Sequence, residues 1–100
     1  MTKDVVNFIG LMNRAGALLT GTDLVINGVR SGKVKLVLLD SAVSENTLKK
    51  ITDKCTYYNV SYIMMPPETD LGEAVGKSSR KVFGITDQHF VKALKEKMKN

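Results

Sequence analysis

A single cysteine, Cys55, and a single histidine, His89, stand in this 100-residue chain. One cysteine excludes an internal disulfide, and one cysteine with one histidine cannot assemble a zinc site. No apolar run approaches the roughly 18 residues of a membrane span, and the opening MTKDVVNFIGLMNRAG is polar-interrupted and helical in pattern rather than signal-like, so a cytoplasmic protein without membrane contact is expected. The two prolines are adjacent, Pro66 and Pro67, and no linker, repeat or low-complexity segment divides the sequence. Residues 1–100 are therefore read as one domain. Catalytic constellations are scarce as well: no serine elbow and no carboxylate pair accompanies His89, which leaves it a surface or half-buried histidine rather than a general base. GEAVGKS at Gly72–Ser78 comes near the phosphate-binding pattern GxxxxGK[ST], but three residues separate its glycines where four are needed, and it follows a helical stretch instead of a strand. Neither an enzyme nor a cofactor is expected.

What is present is an alternation of helical and strand signals. Hydrophobic residues make up 43% and charged residues 25%, an ordinary globular balance, and the net charge is +5, a sign that suits a polyanionic partner. Val5, Phe8, Ile9, Met12 and Ala15 recur at helical steps over Lys3–Ala15, closed by Gly16; Ala17–Thr20 reads as a short strand. In GTDLVINGVRSGKVKLVLLD, residues 21–40, Thr22 is read as the cap of a helix whose first turn holds Asp23 and whose stop is Gly32. Val25, Ile26 and Val29 share its inner face, leaving Asp23, Asn27 and Arg30 for a partner. Val34–Leu39 then contains LVLL, the composition of a strand covered on both faces and hence central.

Ser44 caps the next predicted helix, Glu45–Tyr58, with an apolar stripe of Leu48, Ile51, Cys55 and Tyr58 that makes Cys55 a core residue. Val60–Met65 reads as a strand stopped by Pro66, Thr69 as the cap of a short helix over Leu71–Val75, and Val82–Thr86 as a strand whose Gly84 either weakens it or admits close backbone approach. The last helix starts at Asp87 and turns Phe90, Val91, Leu94 and Met98 inward, with a solvated lysine face of Lys92, Lys95, Lys97 and Lys99. Asp40 is read as a loop cap. The order predicts an α/β protein, a three-layer α/β/α sandwich with a small mixed sheet of about four strands.

GTDLVINGVRSGKVKLVLLD together with LGEAVGK at Leu71–Lys77 resembles the kink-turn RNA-binding ribosomal-protein family, the large-subunit proteins of the L-seven-Ae and L-thirty-e types. Gly21, Gly32, Leu71, Gly72, Ala74 and Gly76 match that family's glycine spacing and LGxAxG segment. LMNRAGALLTG at Leu11–Gly21, NTLKKITDKC at Asn46–Cys55 and the following YYNV are similar to its bacterial YlxQ-like branch. The resemblance covers nearly the whole chain. It implies the same sandwich, a ribosome-associated function, and a structured RNA as partner, not DNA. It also implies an RNA surface made by the start of the second helix and the loop before the last strand. The residues expected there are Gly21, Thr22, Asp23, Asn27, Arg30 and Lys33 from the first part and Lys77, Ser78 and Arg80 from the second, in a protein that is monomeric when free.

Strong RNA binders of the family carry an Asn-Glu pair after the opening glycine and a lysine one and a half turns on. Asp23, Leu24 and Asn27 depart from that pattern, and Ala17 stands where the bacterial branch commonly has lysine. These departures leave a second reading open: a protein-interaction module on the same fold that has lost specific kink-turn binding.

Overall fold

A computed structural model describes residues 2–66, 69, 71–76 and 80–99. In chain order the elements are α1 (Thr2–Arg14), β1 (Leu18–Thr20), α2 (Thr22–Ser31), β2 (Leu36–Leu39), α3 (Glu45–Tyr58), β3 (Ser61–Met64), α4 (Leu71–Ala74), β4 (Val82–Ile85) and α5 (Gln88–Met98). The strands form one mixed sheet in the order β1-β4-β2-β3. β4 runs antiparallel to both β1 and β2, pairing Thr20 with Phe83 and Leu39 with Val82, whereas β2 and β3 are parallel, pairing Leu36 with Ser61.

The alternation of side chains along β2 divides the core. Leu36 and Leu38 face one side with Phe83 and Ile85, where Val5, Ile9, Met12, Leu71, Val91 and Leu94 cover them from α1, α4 and α5. Val37 and Leu39 face the other side with Val82, covered by Val25, Ile26, Val29, Ile51 and Cys55 from α2 and α3. All four β2 residues are buried, as the unbroken LVLL run requires of a strand with helices on both faces. The architecture is the predicted three-layer α/β/α sandwich with a four-stranded mixed sheet. β3 lies at the sheet edge, and its Tyr62 and Met64 remain exposed.

The predicted strand Val34–Leu39 is shorter in the structure because Val34 has a different task. Its amide donates back to the Gly28 carbonyl at 3.0 Å, and its side chain fills the gap between α2 and β4. A Cβ on Gly28 would lie 2.5 Å from Val34 Cγ2, and one on Gly84 would lie 2.9 Å from the same atom. Two glycines thus let helix and sheet close on one valine, which settles the role of Gly84 as close approach. Two helix ends follow their sequence signals: Gly32 takes the left-handed conformation after α2, and the Ser44 hydroxyl accepts from the Thr47 amide. Asn59, also left-handed, ends α3. Thr69 is buried and its amide donates to the Pro66 carbonyl; Asp70, between it and α4, lies outside the described residues. On α5 the lysine face is not wholly solvated, since Lys97 Nζ sits 5.2 Å from the centre of the Phe8 ring, itself packed on Phe90.

Candidate nucleic-acid interface

Strand directions decide what gathers at each end of the sheet. β1, β2 and β3 end where β4 begins, so the β1–α2 turn, the β2–α3 loop and the segment entering β4 meet at one end. The starts of α2 and α3 are both there, and helix starts carry the positive ends of their dipoles.

The β1–α2 turn is built on Gly21. Its φ of 100° is one that side-chain-bearing residues rarely adopt, its amide donates to the Val82 carbonyl at 2.9 Å, and its carbonyl accepts the Val25 amide at 3.1 Å. Gly21 is therefore the N-cap of α2, and the expectation that Thr22 caps it is corrected: Thr22 is the first helical residue, and no side-chain cap bond is made. The cap residue thus offers no side-chain acceptor to the first turn, whose amides have no intrahelical partner and whose carboxylate is that of Asp23.

Arg80 comes to this turn from the other side. A Cβ on Gly21 would lie 3.3 Å from Arg80 Nη1 and 3.7 Å from Cζ, so the guanidinium rests where a side chain at position 21 would begin. Gly21, Thr22 and Arg80 line a cleft of about 320 Å³ with Ala42, Ser44 and Lys81. A second cleft of similar size is lined by Thr20–Leu24 and Arg80. The Asp40 amide donates to the Lys81 carbonyl at 2.9 Å, and Asp40 Oδ1 accepts from the Ala42 amide at 2.8 Å, so the buried Asp40 is the loop cap expected and ties together Lys81 and Ala42 of the cleft lining. The contribution of 42–44 was missed in the sequence, where Ser44 signals only a helix start. Its presence here follows from strand order.

The predicted residues do not all come together. Gly21, Thr22 and Arg80 converge. Asp23, Asn27 and Arg30 are exposed along the outer stripe of α2. Arg30 and Lys33 do not join the Gly21 turn, contrary to the reading that grouped them: eight residues of helix, about 12 Å at 1.5 Å per residue, separate Thr22 from Arg30, and Lys33 lies beyond the opposite helix end. Lys77 and Ser78 lie outside the described residues. The discounted GEAVGKS segment begins as helix α4 and bends at Gly76, whose φ is 72°.

Other chemistry finds little support. His89 is fully exposed, with Nδ1 3.4 Å from Asp87 Oδ1. Cys55 has no exposed surface, and burial pushes its thiol up to about 11. No group of three metal-ligating side chains occurs among the described residues, and none of the described helices is long and apolar enough to cross a membrane.

The profile of the ribosomal protein L7Ae/L30e/S12e/Gadd45 family matches residues 3–95. The chain is 46% identical over 86 residues to a protein of Bacillus subtilis named RNA-binding protein YlxQ, a match covering 86% of each sequence. It is 45% identical over 94 residues to the Enterococcus faecium protein of the same name, covering 94% of this chain and 90% of that one. A structure of a protein of unknown function from Bacillus halodurans superposes with a TM-score of 0.84 at 37% identity, covering 92% of this chain and 93% of the other. The Giardia lamblia 15.5kD RNA binding protein superposes at 0.78 with 19% identity, over 95% and 84% of the two chains, which is a likeness of fold.

Proposed function

Because this chain belongs to the ribosomal protein L7Ae/L30e/S12e/Gadd45 family, we propose that it is a non-catalytic RNA-binding protein of the bacterial cytoplasm, a single monomeric domain that associates with the ribosome and recognises a bent, kink-turn-like RNA. The observation that carries the reading is the placement of the Arg80 guanidinium against Gly21 at the start of α2, which has no side-chain cap. A helix start and a guanidinium on one turn supply backbone donors, a dipole and a fixed charge to the same phosphate, and Lys81 and the α3 start add to that field. Lys77 and Ser78 belong to the same proposed surface through the segment that leads into Arg80.

Asp23 and Leu24 set the kind of recognition. A carboxylate at the helix start repels phosphate but accepts hydrogen bonds from base amino and imino groups, while Leu24, 57% exposed, offers an apolar contact to a base or ribose. The first turn of α2 thus reads the edge of an unpaired base beside the phosphate that Arg80 holds. Asn27 continues the stripe with a neutral donor and acceptor. The same exposed Asp23–Leu24 pair favours the second reading, docking of a protein partner at this turn.

The two readings separate in a titration of a fluorescently labelled model kink-turn against a straight duplex over a range of salt. Roughly three to five neutralised phosphates predict a log-log slope of about −2.7 to −4.5 and preference for the bent RNA. A flat salt response with no preference would leave protein docking as the function of this end. Sequencing of RNA crosslinked in cells, against an untagged control, identifies the target.

A further inference from the structure

The opposite end of α2 carries a second concentration of cations, and it stands beside Tyr58, whose ring packs on that of the exposed Tyr57. Arg30, Lys33 and Lys35 flank Gly32 in sequence, and Tyr57 and Tyr58 are in the last turn of α3, whose Tyr58 and Asn59 share a cleft with Arg30, Gly32 and Lys35. Between the α2–β2 turn and 58–60 is a cleft of about 430 Å³, lined by Arg30, Lys35, Tyr58 and Asn59 among others, with no acidic residue in its lining. Tyr57 is 80% exposed, and its ring stands edge-on to that of Tyr58, 4.8 Å between centroids and 79° between planes.

Fold stability accounts for only part of this arrangement. Basic residues after a helix complement its negative end, and Lys35 Nζ does donate to the Gly32 carbonyl at 2.9 Å. Two helix C-termini, however, amount to about one negative charge in total, against three cations. Tyr57 lies outside the buried stripe of α3, so its ring adds little to the core, yet an exposed ring held edge-on by a second ring is a rigid stacking surface. Cations flanking an exposed aromatic are the combination that binds unpaired nucleic acid: the ring takes a base face while the cations follow the backbone.

We propose that this end of the molecule is a second RNA-contacting surface, which takes an unpaired segment by stacking a base on the Tyr57 ring, braced edge-on by Tyr58, with Arg30 and Lys33 on its phosphates. It rests on the reading of the protein as an RNA binder, and gives that reading a division of labour. The Gly21–Arg80 end grips the bent element. The Arg30–Tyr58 end, about 12 Å away along α2, holds a single-stranded flank.

The test uses the full chain with hexa-adenylate and hexa-uridylate as probes, beside the model kink-turn. The sequence has three tyrosines and no tryptophan, so intrinsic emission reports stacking directly. The expected result is quenching by both hexamers, stronger with adenines, and backbone amide shifts at 30–35 and 57–60. Tyr57→Ala and Arg30→Ala should each weaken hexamer binding about five- to tenfold, with Tyr57→Phe near the parent because the ring is kept. Arg80→Ala should weaken the kink-turn and spare the hexamers. Because Tyr57 and Arg30 are exposed, unchanged circular dichroism and Tm are expected for their variants. If Tyr57→Ala leaves hexamer binding intact, or the amide shifts fall at Gly21 and Arg80 instead, the second surface is refuted while RNA binding stands. Kink-turn binding without any hexamer binding would refute it too, as would self-association that Tyr57→Ala abolishes in the absence of a hexamer response. Failure to bind either kind of RNA would overturn the primary reading along with it.

Discussion

Arg80 packs closely over Gly21: the guanidinium lies 3.3 Å from the point where a Cβ at position 21 would stand. Fifty-nine positions of chain separate them, and the antiparallel pairing of β1 with β4 brings them together. The glycine is required by its φ of 100°, and a side chain there would also push the guanidinium aside by a few tenths of an ångström.

Gly21→Ala should accordingly lower stability by about 1–3 kcal/mol through backbone strain alone, read as a fall in Tm. It should also weaken kink-turn binding, because the added methyl group moves the guanidinium. Equal RNA affinity in a folded Gly21→Ala protein would detach Arg80 from recognition.

Arg80→Ala is expected to weaken binding of a kink-turn without single-stranded flanks while changing stability by less than about 0.5 kcal/mol, since the residue is exposed. Arg30→Ala should have a much smaller effect on that RNA. The two changes should add in a double-mutant cycle, because the sites are too far apart to share a contact. Controls at Lys95 and Lys99, on a different face, test whether general charge explains the loss.

Asn27 sits midway along the exposed stripe of α2, between the two ends. Asn27→Lys should strengthen kink-turn binding by about 1 kcal/mol or more by replacing a neutral contact with a charge-assisted one, with little effect on folding. Unchanged affinity would mean that the middle of α2 does not face RNA.

Gly28→Ala would be stabilising by helix propensity alone, yet the new Cβ would stand 2.5 Å from Val34 Cγ2 and 3.0 Å from Leu19 Cδ1. Overpacking should dominate and cost about 1–3 kcal/mol, measured by urea denaturation. Val34→Ala in the same chain should recover part of that loss. A more stable Gly28→Ala protein would show that helix and sheet have room to separate.

Cys55 gives a pH signature. Its thiol is raised by burial from 9.0 to about 11, so the folded state holds the proton more tightly than the unfolded one. The resulting contribution to stability is fully present below pH 9 and is lost as pH rises from 9 through 11. Tm should fall over that window more steeply in the parent than in Cys55→Ala, and a thiol reagent at about pH 8, below the ordinary thiol range, should modify the protein only after denaturation. Rapid labelling of the native chain would contradict burial of the thiol.

The sequence alone determined the local elements and their buried faces. The Ile51–Cys55 stripe, the LVLL strand and the Gly32 stop each depend on a few consecutive residues, whose periodicity and backbone preference act before any distant contact forms. It also carried the family, through glycine spacings that survive as turns. The tertiary structure decided which ends meet. Nothing near Val34 in the chain announces that it leaves the strand to fill the gap above Gly84. No local signal brings 42–44 to Gly21, and Arg30 and Lys33 look adjacent to that turn only while the helix between them has no length. Those relationships arise from strand order and helix direction, set by pairing and packing between residues tens of positions apart, where periodicity carries no information.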